Sequence, residues 1–166
     1  MKQNELQQIF LNEYNLGAYF CRTSYTKGGV CTYVHKSLNL ENLDLEQYCI
    51  EKDFEVCAVK LDLNITRTCV ITIYTAPSGN FNLFINKLDT LLSILYNLTL
   101  EYIICSDINI DYLVNSDRKK QLETLLKTYN LTGTVNFPTR SQKTRLQPLI
   151  ILSLTWRENK IALYTL

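Results

Sequence analysis

The apolar residues of this chain follow two different periods, and the shorter one predicts strands. Runs rich in β-branched and aromatic residues predict five strands, at residues 17–22, 30–35, 55–61, 69–74 and 102–105. A polar loop that contains glycine joins the first two runs, and another polar loop joins the next two. Each of these pairs is therefore expected to form a β-hairpin.

The longer period, near 3.6 residues, predicts two clear helices. One covers residues 81–98, with Asn80 as its N-cap, and the other covers residues 116–129. A short helix over residues 2–14 is also expected, and residues 38–53 are ambiguous, with an acidic loop and one helical turn. The residues that would share one face of the first helix are Leu6, Ile9, Phe10 and Tyr14. Hairpins followed by helix, strand and helix predict a layered α+β domain.

Polar side chains end the last of the predicted strands. Asp107 and Asn109 follow the apolar residues 102–105, and on an extended segment they would point the same way. Asp111 would continue the row. Open sheets tend to bind ligands at the carboxyl ends of their strands, so this stretch is a candidate site. The alternative is an ordinary turn, because Asp and Asn are common turn residues.

Composition limits the classes of protein to which the chain can belong. A chain of 166 residues with 46% hydrophobic and 20% charged residues is expected to form one soluble domain. Its net charge of +1 excludes a strong overall basic field, so nucleic-acid binding would need local positive charge. No signal peptide and no membrane-spanning run is apparent. The six cysteines form no Cys-x-x-Cys pair, which favours buried thiols in a reducing, intracellular compartment, nuclear or cytoplasmic.

Four motifs in this order carry a resemblance to a known family. They are Lys27-Gly28-Gly29-Val30, Ile73-Tyr74-Thr75-Ala76-Pro77, Ser106-Asp107-Ile108-Asn109-Ile110-Asp111 and Phe137-Pro138-Thr139-Arg140. With this order and spacing, the chain resembles the endonuclease domain of insect non-LTR (LINE-type) retrotransposons over about residues 1–140. That domain belongs to the endonuclease/exonuclease/phosphatase superfamily, with DNase I and the apurinic endonucleases.

The resemblance implies a fold and an activity. The fold would be a two-sheet β-sandwich flanked by helices, with the active site at one end. The activity would be magnesium-dependent nicking of target DNA to prime reverse transcription, with the reverse transcriptase domain downstream in the parent element. Asp107 would orient or deprotonate the attacking water, and it is also the candidate metal ligand. Asn109 would bind the scissile phosphate or the water. Tyr74 would support the phosphate in the transition state. The candidate DNA-backbone contacts are Arg140, Lys143 and Arg145.

The chain also departs from the family pattern. The Asn and the metal-binding Glu of the family's first strands have no counterpart, and residues 118–166 contain no Asp and no His. The sequence therefore predicts a domain at residues 1–140 that lacks its first strands, and an atypical tail at residues 141–166 that we hypothesise to be a frame-shifted continuation. Ser106 stands where the family favours Gly, and Thr75 where it often has Arg. Impaired catalysis is expected.

Two alternatives to an impaired endonuclease stay open. One is a non-catalytic remnant or interaction module of the same fold, and the other is a phosphomonoesterase of the same superfamily. Residues 73–80 and 102–111 resemble the retrotransposon branch, which disfavours the phosphomonoesterase. His35, the only histidine, is expected to be structural or solvated, because a single histidine supports no Ser-His-Asp arrangement.

Overall fold

The structure is a computed structural model that describes Leu6 and residues 11–63, 66–96, 100–111, 114–133, 150–153 and 161–165. The described strands are β1 (Tyr14–Phe20), β2 (Val30–His35), β3 (Leu40–Leu43), β4 (Glu55–Leu63), β5 (Thr66–Tyr74), β6 (Leu100–Asp107), β7 (Ile150–Ser153) and β8 (Ile161–Thr165). The described helices are α1 (Phe81–Leu95), α2 (Asp117–Thr128) and the 3₁₀ turn Glu46–Tyr48.

The strands form two sheets. One has three strands in the order β1-β2-β8, and the other has five in the order β3-β4-β5-β6-β7. Every described pair is antiparallel except β5 and β6, which run parallel. Both predicted hairpins, β1-β2 and β4-β5, are present. The predicted α+β class with two sheets is therefore confirmed.

Alternation along β4 explains why the two sheets pack face to face. Cys57, Val59 and Leu61 point toward the three-stranded sheet and pack in one cluster with Val30 and Val34 of β2. Val56 and Ala58 point to the opposite face and pack in the cluster that contains the buried residues of the helices. Because both faces of the strand are buried, its sequence is a nearly continuous apolar run.

Helices α1 and α2 cover the outer face of the five-stranded sheet. The buried residues of α1 follow the helical period and are Phe84, Leu88, Leu91 and Leu92. Asn80 caps α1 as predicted, since its side-chain oxygen accepts the backbone N–H groups of Asn82 and Leu83. The helix ends at Leu95, within the predicted range. None of the described helices is long and apolar enough to span a membrane.

The N-terminal boundaries differ from the prediction. Tyr14 is the first residue of β1, so it does not lie on the expected helix, and β1 ends at Phe20. Leu6 is helical and buried, whereas Ile9 and Phe10 lie outside the described residues. Strand β3 was not predicted, because most of its residues are exposed and it has no alternating pattern. The one helical turn expected in this region is present as the 3₁₀ turn.

Two strands come from the segment that the sequence marks as an atypical tail. β7 pairs with the edge of β6, and β8 pairs with β2, so residues after 141 contribute to both sheets. A frame-shifted origin of this segment stays a prediction.

All six cysteines are free, and four of them are buried. Burial raises the pKa of Cys31 and Cys49 to about 11. Burial also raises the pKa of Cys57, Cys69 and Cys105 to about 12. These five thiols are therefore protonated at neutral pH and serve as small apolar groups.

Candidate active site

A row of three polar residues crosses the five-stranded sheet where β5 and β6 end. Glu55 of β4 is the register partner of Tyr74 on β5, and Tyr74 is the register partner of Asp107 on β6. Partners in register share one face of a sheet. The same face carries Cys57 and Cys105, which pack toward the three-stranded sheet. The row therefore lies at one end of the interior of the sandwich.

Asp107 and Tyr74 sit side by side at this end. The parallel pairing of β5 and β6 places both carboxyl ends together, and the Asp107 carbonyl accepts a hydrogen bond of 3.0 Å from the Thr75 N–H. Asp107 is only 5% exposed, and Tyr74 is half-buried. A buried carboxylate and a half-buried tyrosine thus lie on neighbouring strands at the same end of the sheet.

Asn109 reaches the same place by a turn and not by an extended strand. Strand β6 ends at Asp107, and Asn109 has a φ of 51°, in the left-handed region. The extended course from Asp107 to Asn109 is therefore wrong, and the turn that the sequence left open as the alternative is present. The Asn109 Nδ2 donates a hydrogen bond of 2.6 Å to the Thr75 carbonyl, which ties the amide to the end of β5. Asp111 is exposed and does not continue the row.

Thr75 and Ser106 stand where the family pattern has other residues, and the structure gives each a place. Thr75 is 5% exposed, and its hydroxyl donates to the Asp53 carbonyl at 3.1 Å. It therefore links β5, β6 and the loop before β4. Ser106 lies inside β6 and is not among the described residues with positive φ. Its backbone is extended, so no glycine is needed before Asp107.

The environment of Tyr74 keeps its phenol protonated. Burial raises the pKa of Tyr74; the Arg22 cation opposes this, and the carboxylates of Asp107 and Glu55 raise the pKa further. The net pKa is above the usual value for tyrosine. The phenol is therefore a hydrogen-bond donor at neutral pH.

Two residues of this region were not predicted from the sequence. Arg22 follows β1 and forms an ion pair with Glu55, with 2.5 Å between Nε and Oε1. Their side chains are 6% and 0% exposed. Glu55 Oε1 also accepts the backbone N–H of Lys52 at 2.6 Å. The sequence did contain one signal for this pair, a glutamate at the start of a largely apolar strand. A carboxylate that is buried in such a strand needs a charged or hydrogen-bonding partner.

The donor set does not fit a magnesium ion by itself. Across the described residues, no group of three His, Cys, Asp or Glu side chains is close enough to hold a metal. Of the two carboxylates in the row, Glu55 is bound through its Oε1 by Arg22 and by the Lys52 amide, whereas its buried Oε2 has no hydrogen-bond partner among the described residues. A magnesium ion bound by Asp107 would therefore need water molecules and substrate phosphate oxygens to complete its coordination.

Other candidate residues lie elsewhere. Arg140, Lys143 and Arg145, the candidate DNA contacts, fall outside the described residues. His35 pairs with Tyr14 at the far end of the three-stranded sheet, whereas Arg22 follows the near end. Its Nδ1 lies 2.8 Å from the Ser37 hydroxyl, and its side chain is 29% exposed.

Comparisons with known proteins agree with this architecture. No protein-family model and no curated protein matches the chain by sequence. The structure is similar to the endonuclease domain of TRAS1, a telomere-specific non-LTR retrotransposon, with a TM-score of 0.64, 12% identity and coverage of 86% of this chain and 68% of that one. It is also similar to the human Nocturnin catalytic domain with bound sulfate anion, with a TM-score of 0.58, 14% identity and coverage of 99% of this chain and 68% of that one. The chain therefore shares the fold of these two domains, in agreement with the predicted fold class.

Proposed function

We propose that this chain is an endonuclease-type domain that hydrolyses DNA phosphodiesters, with impaired catalysis. The observation that carries the proposal is the register of Tyr74 with Asp107 at the end of the sandwich, with Asn109 tied to the same point. The fold is shared with a retrotransposon endonuclease domain, which supports DNA as the substrate.

Each side chain has one task in this proposal. The Asp107 carboxylate orients the attacking water and takes its proton. The protonated Tyr74 phenol donates a hydrogen bond to a phosphate oxygen, where charge builds up in the transition state. The Asn109 Nδ2 is engaged by Thr75, so the remaining amide oxygen accepts a hydrogen bond from the water. Hydrolysis of a phosphodiester depends mainly on such positioning and on charge stabilisation.

The same chemistry explains why catalysis would be weak. Phosphodiester hydrolysis needs positive charge near the phosphate oxygens. The described residues offer no three-residue ligand set for a cation, and Thr75, which follows Tyr74, is neutral. The groups that would position the water and the phosphate are therefore present, but there is little positive charge to neutralise the phosphate oxygens.

Nicking of supercoiled plasmid tests the proposal. The purified chain should convert supercoiled DNA slowly to the open-circular form in magnesium, and EDTA should stop the conversion. It should not hydrolyse p-nitrophenyl phosphate, a phosphomonoester. Hydrolysis of the phosphomonoester with intact plasmid would instead support the phosphomonoesterase alternative.

A second candidate is a non-catalytic interaction module of the same fold. It is favoured by the bond between the Asn109 amide and the Thr75 carbonyl, which leaves this amide fewer hydrogen-bonding atoms for a substrate. Folded protein that shifts DNA in a gel but never nicks it would support this candidate over the endonuclease.

A further inference from the structure

Arg22 packs over Tyr74, although 52 positions separate the two in the sequence. The Arg22 Cζ lies 5.6 Å from the centre of the Tyr74 ring, within the range of a cation–π contact. Its side chain is 6% exposed, so the guanidinium faces the protein and not the solvent. The Arg22 guanidinium therefore packs against one face of the Tyr74 ring, and the phenol of this ring belongs to the candidate site.

Three groups hold the guanidinium in place. Glu55 binds its Nε, and the Lys27 carbonyl accepts from its Nη1. Gly28 has a φ of 109°, and a Cβ built there would overlap the guanidinium. Gly28 thus serves two purposes, the turn and the space for Arg22, which accounts for a glycine at this position.

Residues of the turn before β4 also bind the loop that contains Arg22. The Glu51 carboxylate accepts the backbone N–H groups of Thr23 at 2.6 Å and Ser24 at 3.0 Å. Lys52 Nζ lies 3.4 Å from the centre of the Tyr25 ring. The loop between β1 and β2 is thereby fixed to the turn that precedes Glu55, and Arg22 has a defined position.

We propose that Arg22 is a positioning residue for Tyr74: anchored by Glu55 and seated against Gly28, it fixes the ring so that the phenol faces the ends of β5 and β6. The inference rests on the proposed function, because it assigns the ring its task there. Arg22 is too buried to contact a bound DNA strand, so its effect passes through Tyr74.

The variant Arg22→Lys tests this. Lysine keeps the positive charge but lacks the planar guanidinium group. Only that group can lie over the Tyr74 ring and bind Glu55 at the same time. In protein labelled with fluorotyrosine, the Tyr74 ¹⁹F resonance, assigned by its loss in Tyr74→Phe, should move. The kcat of plasmid nicking should fall by about 10- to 100-fold with KM unchanged, as expected for a misplaced group. Arg67→Ala is the matched control, because Arg67 is 60% exposed and pairs with Asp62 on β4. It should leave both readouts unchanged.

An unchanged Tyr74 resonance in folded Arg22→Lys protein would overturn the proposal, and so would a rise in KM with constant kcat. If the lysine variant does not fold, the double variant Arg22→Met/Glu55→Gln takes its place, since it leaves no buried unpaired charge. The resonance is measured without DNA. Failure of the wild-type chain to nick DNA would therefore contradict the proposed function. The Tyr74 resonance would still test whether Arg22 positions the ring.

Discussion

Replacing Glu55 by alanine is expected to lower the free energy of unfolding by about 3–5 kcal/mol. Glu55 is fully buried and neutralises Arg22, whose side chain is also buried. Arginine cannot lose its proton in a protein, so the variant leaves a charge without a partner away from water. The Lys52 amide loses its acceptor as well. Urea denaturation monitored by circular dichroism measures the change.

The control for this prediction is an ion pair at the surface. Asp62 and Arg67 lie 2.8 Å apart with side chains 57% and 60% exposed. Asp62→Ala should therefore change stability by only about 0–1 kcal/mol. The double variant Arg22→Met/Glu55→Leu should recover most of the loss, because it removes both charges. A loss below about 1 kcal/mol for Glu55→Ala would show that the pair does not support the fold.

Replacing Asp107 by alanine is expected to lower the rate of plasmid nicking by about 10²- to 10⁴-fold. The carboxylate is the group that takes a proton from water in the proposed mechanism, and it is buried beside Tyr74. Asp107→Asn keeps the shape of the side chain and should lose as much, because an amide cannot accept the proton. Single-turnover nicking with excess protein measures both rates.

Asp111→Ala is the matched control, since Asp111 lies four residues further along and is exposed. It should nick at the wild-type rate. Equal losses in the Asp107 and Asp111 variants would indicate a general effect of charge on DNA binding. Wild-type nicking by Asp107→Ala would place the chemistry at another site.

The elements with strong local patterns could be predicted from the sequence. Helix α1 combines a regular apolar period with the Asn80 cap, and the hairpin strands are short apolar runs joined by polar loops. Strand β3 could not be predicted in this way. It lies at the edge of its sheet, its pairing comes from backbone groups, and its side chains are largely exposed.

The candidate site was predictable in part. Asp107 was predicted as a site residue because a strand expected to be buried ends at its carboxylate. Tyr74 was predicted only from the resemblance to the retrotransposon endonuclease family. The sequence left both a continued strand and a turn open at Asn109, because asparagine is compatible with both extended and left-handed backbone. Arg22 and Glu55 are 33 residues apart and meet only when the two sheets pack, so no local pattern joins them.

The central claim is that Tyr74, Asp107 and Asn109 act together on one phosphodiester. A double-mutant cycle of Tyr74→Phe and Asn109→Gly in single-turnover nicking tests it most directly, because glycine adopts the left-handed backbone of Asn109 without strain. Residues that act as a unit have strongly non-additive effects, so the double variant should be little slower than the slower single variant. Losses that multiply would show that the two residues work independently, which would contradict a single site at the ends of β5 and β6.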